Sequence, residues 1–224
     1  YVYVADSGSN KIRKITPEGV VTTLAGSGEV GSADGSGASA TFNHPYGLAA
    51  DASGNIYVAD TGNHKIRKIA PNGIVSTIAG NGYGGNVDGL GTAASFKFPF
   101  GVAVSFSGDV LVADSSNNLI RKISAAGDVT TIAGNGTEGS ADGLGTAASF
   151  KFPFGLTVDA SGNIYVSDTY NNKIRKITPD GMVKTISGSG NAGAADGTDS
   201  NASFNFPGGI AADCKGSVYL ADYL

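Results

Sequence analysis

Residues 45–80 read PYGLAADASGNIYVADTGNHKIRKIAPNGIVSTIAG. The stretch contains four six-residue runs rich in Val, Ile, Tyr and Thr, at 46–51, 55–60, 64–69 and 74–79. The breaks between the runs carry turn residues, such as Ser53-Gly54 and Pro71-Asn72-Gly73. Because no helical period continues across the stretch, it predicts four short antiparallel strands joined by tight turns.

The pattern returns along the whole chain of 224 residues with a fixed period of 54 residues and no insertion or deletion. The aligned columns are Asp6, Asp60, Asp114, Asp168 and Asp222; Phe42, Phe96, Phe150 and Phe204; and Pro45, Pro99, Pro153 and Pro207. The segment 88–101 (DGLGTAASFKFPFG) recurs letter for letter as 142–155. Such self-similarity indicates a repeat architecture.

Four antiparallel strands in a repeat of about 40–55 residues predict an all-β fold, a β-propeller built of four-stranded blades. The predicted units are a partial blade over 1–45, complete units over 46–99, 100–153 and 154–207, and a partial blade over 208–224. A β-solenoid is the alternative, but its coils depend less on two-residue hairpins.

The two ends of the chain occupy the same strand of the repeat, since 217–224 (SVYLADYL) matches 1–8 (YVYVADSG). We therefore predict an excerpt of a larger propeller, or a unit of an array completed by neighbouring copies. The strand at 208–213 could supply the innermost strand that the first blade lacks. An open array would expose Ile12, Ile15, Val21 and Leu24, whereas burial of these residues against the fourth blade would indicate a closed four-bladed ring.

Composition supports a folded chain without disulfides. Hydrophobic residues make up 41% and charged residues 15%, so the chain can build a sizeable core. The net charge of −4 disfavours a polyanionic partner. Cys214 is the single cysteine, and no apolar run reaches the ~18 residues of a membrane span, so membrane insertion is not expected.

The runs 45–51 (PYGLAAD), 54–60 (GNIYVAD) and 63–66 (NHKI) resemble the NHL repeat. The match recurs at 99–120 and 153–174, and in part at 1–15 and 207–222. Ser105 and Leu119 depart from the pattern of the other copies. The resemblance implies a propeller, most often six-bladed. Such domains serve as protein-binding platforms, RNA-binding domains, parts of cell-surface proteins and, occasionally, metal-dependent lyases, so the resemblance alone implies no single function.

The long segment that precedes each innermost strand, 80–98 in the second unit, is predicted to be packed and to offer a binding surface. Phe96 is expected to plug between blades, after a helical turn at 93–95. One acidic residue per loop falls short of the 6–8 oxygens that Ca²⁺ requires, so no metal site is predicted. The candidate binding residues on this long-loop face are Asp34, Asp88, Asp142, Asp196, Asn63, Asn117 and Asn171.

A basic column repeats in the third strand, and its arginines are Arg13, Arg67, Arg121 and Arg175. One interpretation is a basic stripe for RNA or acidic glycans. The favoured interpretation is that these charges pair with loop carboxylates at the blade edge, because Trp is absent and no exposed aromatic stacking platform is evident. Asp60 and its equivalents are expected to fix the following turn by accepting backbone N–H groups.

The sequence does not predict catalysis or a cofactor. His44 and His64 are the only histidines and occupy different repeat positions, so no three-ligand zinc site can be written. Cys214 has no matched histidine partner. Asn135 and Asn201 begin glycosylation motifs in the long loops.

Together these observations predict a non-enzymatic scaffold, extracellular or on the cell surface, that binds proteins or glycans through the long-loop face. One alternative is a structural unit of a fibre or tandem array that self-associates through blade edges. A second alternative is an RNA-binding domain that uses the arginine column, although the composition argues against nucleic acid.

Overall fold

The computed structural model describes residues 1–213 and 215–224, and it shows an all-β chain. The strands are β1 (Val2–Asp6), β2 (Lys11–Ile15), β3 (Val21–Ala25), β4 (Gly35–Ser36), β5 (Pro45–Ala50), β6 (Ile56–Asp60), β7 (Lys65–Ile69), β8 (Ile74–Ala79), β9 (Gly89–Leu90), β10 (Pro99–Val104), β11 (Val110–Asp114), β12 (Leu119–Ile123), β13 (Asp128–Ala133), β14 (Gly143–Leu144), β15 (Pro153–Val158), β16 (Ile164–Asp168), β17 (Lys173–Ile177), β18 (Met182–Ser187), β19 (Pro207–Ala212) and β20 (Val218–Asp222). Short 3-10 helices lie at Ser7–Ser9, Thr61–Asn63, Gly91–Ala93, Ser115–Asn117, Gly145–Ala147, Thr169–Asn171 and Asp199–Asn201. None of the helices formed by the described residues is long and apolar enough to cross a bilayer.

Three sheets contain the four antiparallel strands that the repeat predicts, in chain order from the inside outwards. In the second unit that order is β5-β6-β7-β8. A fifth strand of two residues covers the outer edge, because β4 from the preceding long loop pairs with β8 through Gly35↔Val75 and Ser36↔Ile74. The three long loops that contain β4, β9 and β14 therefore each pair with the next sheet and protect its edge from further pairing. The first sheet contains β1-β2-β3 and the last contains β19-β20.

The core lies between consecutive sheets, because alternate residues of each strand point to opposite neighbours. Ile56, Val58 and Ile69 face the preceding sheet, while Tyr57 and Ile66 face the following one. The predicted aromatic plugs between the sheets are confirmed in three units, where Phe42, Phe96 and Phe150 are 0% exposed.

The helical turn of the long loop lies at Gly91–Ala93 instead of the predicted 93–95. Ala94 is already extended and buried, and the Ser95 N–H group reaches back to the Val87 carbonyl at 3.0 Å. This return contact requires extended backbone where the sequence predicted a helical turn.

Residues 208–213 do not supply the innermost strand that the first sheet lacks. β19 pairs with β20 instead of completing the sheet of β1. The expected exposure of Ile12 and Leu24 is wrong, because strand alternation points both side chains into the cluster shared with the second sheet. The uncovered face of the first sheet carries Val21, 51% exposed, and half-buried Ile15.

Candidate binding surface

The arginine column forms a buried ion network. Arg67 is 0% exposed, and its guanidinium donates to Asp60 and to Asp34, both at 2.7 Å. The same group also donates to the Thr41 and Ala33 carbonyl oxygens at 3.1 and 2.9 Å. The equivalent networks join Arg121 to Asp114 and Asp88, and Arg175 to Asp168 and Asp142.

This network corrects the interpretation of the column as a basic stripe. Arg67, Arg121 and Arg175 are fully buried, so they cannot meet the phosphates of RNA. The predicted pairing with loop carboxylates is correct, although the arginines lie inside the fold and not at the blade edge. Arg13 differs, because its side chain is 31% exposed and contacts Asp6 at 3.3 Å.

The acidic residues of the network have pKa values that follow their burial. Burial raises the pKa of Asp114 to about 6, against hydrogen bonds from Asn117, the Lys97 N–H group and Arg121. Burial likewise raises the pKa of Asp60 and of Asp168. Asp34 is partly desolvated, which opposes ionisation, but hydrogen bonds from Thr77 and Arg67 hold its pKa below the ordinary value.

The candidate asparagines are also bound within the fold. The Asn63 amide donates to Asp60 at 2.8 Å and to the Gly31 carbonyl at 2.7 Å. Asn117 and Asn171 make the same pair of contacts in their units. Asp196 forms no ion pair with any described residue.

The other sequence-based candidates have three different outcomes. The expectation that Asp60 accepts backbone N–H groups of the following turn is wrong, because the N–H group that it accepts, at 2.8 Å, is that of Asn43 in the preceding long loop. Asp60 contacts the following turn through the side-chain amide of Asn63, at 2.8 Å. The glycosylation candidates Asn135 and Asn201 are exposed. The interpretation of Cys214 lies outside the described residues.

An aromatic surface lies at the centre of the long-loop face, where the inner strands begin. Six of its seven rings contact one another, within and between units, with centroids 4.8–5.5 Å apart. The seventh, Phe98, lines a pocket together with Tyr46 and Phe100. Four of the seven rings are 40–48% exposed. The aromatic surface consists of Tyr46, Phe98, Phe100, Phe152, Phe154, Tyr170 and Phe206.

The expectation that no exposed aromatic platform exists is therefore wrong. Tyr46 and Phe154 are two repeats apart in sequence, yet their ring centroids lie 5.3 Å apart. The fold brings two or three rings from each complete unit to the same centre, and no single stretch of sequence shows this convergence.

Strained backbone positions the rings of Phe98, Phe152 and Phe206. The residue before each inner-strand proline has a positive φ, which is +47° at Phe98, +51° at Phe152 and +58° at Phe206. Bulky residues adopt this conformation only where surrounding contacts impose it. One such contact is the hydrogen bond from the Phe98 N–H group to His64 Nδ1, at 3.1 Å. In the later units Asn118 and Asn172 accept the equivalent bond.

A pocket of about 300 Å³ opens beside this surface. The Thr61 hydroxyl donates to the Pro99 carbonyl at 2.7 Å and the Ser7 hydroxyl donates to the Pro45 carbonyl, so both hydroxyls are engaged by the fold. A ligand here would meet mainly ring surface and the exposed His44. The lining of this aromatic pocket is Ser7, His44, Tyr46, Thr61, Gly62, Phe98 and Phe100.

Two departures from the repeat are histidines, one in the lining of the aromatic pocket and one behind its Phe98 ring. His44 stands where the other units have Phe98, Phe152 and Phe206, and His64 stands where they have asparagine. The His64 ring packs edge-on against Phe98 at 4.5 Å, and burial together with nearby Lys97 lowers its pKa. Column-by-column comparison of the units is the sequence signal that marks the two histidines as exceptions, although it does not show that they lie near one another.

The family described as NHL repeat matches residues 42–69 and 150–177. The chain contains NHL repeats. Protein SUPPRESSOR OF QUENCHING 1, chloroplastic, of Arabidopsis thaliana is 31% identical over 239 residues, covering 99% of this chain and 23% of that protein. NHL repeat-containing protein 2 of Bos taurus is 29% identical over 263 residues, covering 99% of this chain and 36% of that protein. The NHL chain thus spans well under half the length of these relatives.

Solved structures share the fold of the NHL chain. A Bacteroides thetaiotaomicron protein of unknown function has a TM-score of 0.73 at 25% identity, over 96% of this chain and 52% of that one. A chain of a nidogen/laminin complex has a TM-score of 0.65 at 18% identity, and the match covers 99% of this chain and 67% of that one. A streptogramin B lyase has a TM-score of 0.62 at 15% identity, and the match covers 98% of this chain and 58% of that one.

Proposed function

We propose that the chain is a non-enzymatic binding module whose long-loop face takes a protein partner through the aromatic surface. The observation that carries this proposal is the exposure of Tyr46, Tyr170 and Phe206, which are 40–48% accessible within one contiguous set of rings, while Phe98, 43% exposed, lines the adjoining pocket. Aromatic residues are enriched at protein interfaces because they bury large area with little loss of side-chain entropy. A soluble protein that exposes such a cluster has a partner for it.

A protein fits this surface better than a glycan does. The hydroxyls of Ser7 and Thr61 are already engaged by inner-strand carbonyls. A sugar ring would bring several hydroxyls that require partners, and burying them unpaired is costly. An apolar side chain of a protein carries no such requirement. The solved complex of nidogen with laminin, which shares this fold, supports a protein as partner by analogy.

The ion network supports a role without catalysis. Asp114 has the raised pKa that marks many catalytic acids. However, its side chain is 0% exposed and is held by Arg121 and Asn117, so no substrate reaches it. Its perturbed pKa is therefore explained by a structural role.

The test is binding on protein and glycan arrays, with Tyr170→Ala and Phe206→Ala beside the parent chain. Phe106→Ala is the matched control, because Phe106 is 83% exposed in the turn at the opposite end of the strands. We expect a protein signal that the first two variants lose and the control retains. If only glycans bind, the long-loop face is a carbohydrate-binding surface and not a protein-binding one. Absence of all binding, together with turnover of an ester or lactone, would overturn the proposal.

We also propose an extracellular or cell-surface location. The exposure of Asn135 and Asn201 is compatible with glycosylation in the secretory pathway. Expression in a secreting eukaryotic cell, followed by deglycosylation and mass analysis, tests this location. Retention inside the cell would count against it.

A further proposal concerns the finer architecture, in which the described sheets belong to a larger propeller. Val2, Val4 and Val21 of the first sheet are 39–59% exposed. Their counterparts in the second sheet, Ile56, Val58 and Val75, are at most 2% exposed because the preceding sheet covers them. A further sheet, or a neighbouring copy in a fibre or tandem array, would bury the open face in the same way.

A further inference from the structure

The aromatic pocket has the size and chemistry for one planar side chain. Its volume of about 300 Å³ lies at the lower end of ligand pockets. Tyr46, Phe98 and Phe100 supply ring surface, and the Tyr46 and Phe100 rings meet edge-on with centroids 5.0 Å apart. A further ring can join this set in the edge-to-face or offset arrangements that aromatic pairs prefer.

An exposed cation adjoins the pocket residue Phe98 in the chain, although it is not part of the pocket lining. Lys97 immediately precedes Phe98, and its side chain is exposed. In the next unit Lys151 pairs with Glu138 at 3.0 Å. The position equivalent to Glu138 is Gly84, and no carboxylate among the described residues lies within ion-pair distance of Lys97. Like most lysines among the described residues, Lys97 makes no ion pair, and it belongs to the same unit as His64, whereas His44 ends the preceding unit.

We infer that the aromatic pocket binds an aromatic side chain of an extended polypeptide, and that Lys97 pairs with an acidic residue beside it. This inference rests on the proposed function and specifies the chemistry of the partner. The ring enters between Tyr46, Phe98 and His44, and the neighbouring carboxylate takes the place that Glu138 occupies beside Lys151. The pairing adds selectivity for acidic partners more than it adds affinity.

The two histidines make the test direct, because their imidazole resonances report on the pocket. His44 lines the pocket, and His64 supports Phe98 from behind. The probes are N-acetyl-Glu-Phe-Gly-amide, the same peptide with Gln in place of Glu, and the same peptide with Ala in place of Phe. We expect the first probe to shift the His44 signal, the Gln probe to bind about two- to five-fold more weakly, and the Ala probe to leave His44 unshifted.

Two variants introduce residues that occur at the same repeat position elsewhere in the chain, Glu in one other unit and Phe in three, and therefore should fold. Gly84→Glu supplies Lys97 with the partner that Lys151 has, and a Cβ at Gly84 would meet Lys97 Cγ at an ordinary 3.6 Å. It should remove the preference for Glu over Gln while leaving ring binding intact. His44→Phe should fill part of the pocket, and the shift induced by the first probe, then read from His64, should be lost.

The inference is wrong if the Ala probe shifts His44 as strongly as the Phe probe, or if Gly84→Glu keeps the preference for Glu. These outcomes are separable from failure of the proposed function. Suppose that a protein found on the array requires Tyr170 but binds Gly84→Glu and His44→Phe as tightly as the parent chain. The aromatic surface then remains the proposed binding site, and the aromatic pocket is not part of it. Loss of all array binding would instead defeat the proposed function.

Discussion

Arg67, Arg121 and Arg175 show how one residue type changes role with its surroundings. Each guanidinium lies over the face of a plug ring, with Arg67 5.1 Å from the Phe42 centroid, and each bridges a buried and a half-exposed carboxylate. The sequence predicted the pairing, because basic and acidic columns recur in phase. It did not predict the burial, which depends on a ring that lies two strands earlier in the chain and covers the arginine only after the sheets pack.

Breaking this network should be costly where it is buried and cheap where it is not. Asp114→Ala would leave Arg121 with one half-exposed partner, and we expect a loss of about 3–5 kcal/mol in the free energy of unfolding. Asp6→Ala removes the equivalent carboxylate from a pair whose side chains are 31% and 33% exposed, so the expected loss is below about 1 kcal/mol. Urea denaturation of both variants measures the difference. Equal losses would contradict a dominant role for burial.

His64 should make the stability of the aromatic surface depend on pH. Burial and the nearby Lys97 charge lower its pKa, and its Nδ1 must stay unprotonated to accept the Phe98 N–H group. The unfolded chain therefore takes up the proton first, so this stability is complete above the ordinary histidine pKa of about 6.5 and is lost as pH falls through the lower folded pKa.

His64→Asn restores the acceptor of the other units and removes this titration. We expect the variant and the parent to melt together at about pH 7.5, and the variant to melt higher at about pH 5. Thermal melts at the two pH values measure the effect. If the difference in melting temperature between the variant and the parent is the same at both pH values, the prediction is wrong.

The long loop is the element that ties the sheets together. Its two-residue strand extends the outer edge of the following sheet, while its phenylalanine fills the gap between sheets. The four main strands could be predicted to within one residue, because their alternation and turn residues are local signals. The two-residue strands could not, since Gly89 and Leu90 have little intrinsic β preference and pair only because the neighbouring edge is free.

Removing the plug should therefore weaken the whole chain. Phe96 is 0% exposed and lies in the cluster shared by the second and third sheets, so Phe96→Ala should cost about 3–5 kcal/mol. Phe106→Ala, at a ring 83% exposed, should change stability by less than about 0.5 kcal/mol. Chemical denaturation of both variants compares the two. A small loss at Phe96 would show that the loop opens without disturbing the sheets.

At the scale of the whole molecule, the inner strands converge so closely that the aromatic rings meet at one centre. Gly101 has no room for a Cβ, because the Phe154 carbonyl oxygen of the next inner strand occupies that space. The repeat predicted this succession of sheets, but the surface emerges only from their convergence. Its strained phenylalanines and the two histidines could not be assigned to one site without knowing the distance between units.

The open face of the first sheet provides the last prediction, which concerns association. Val21 is 51% exposed, whereas its counterpart Val75 is 1% exposed under the preceding sheet. An apolar face of this kind drives self-association, so we expect the isolated chain to form concentration-dependent oligomers. Val21→Lys should suppress them by placing a charge on that face. Val20→Lys is the matched control, because both Val20 and its counterpart Ile74 are exposed, at 55% and 45%. Sedimentation velocity measures the three proteins, and oligomers that persist in Val21→Lys while disappearing in Val20→Lys would place the contact elsewhere.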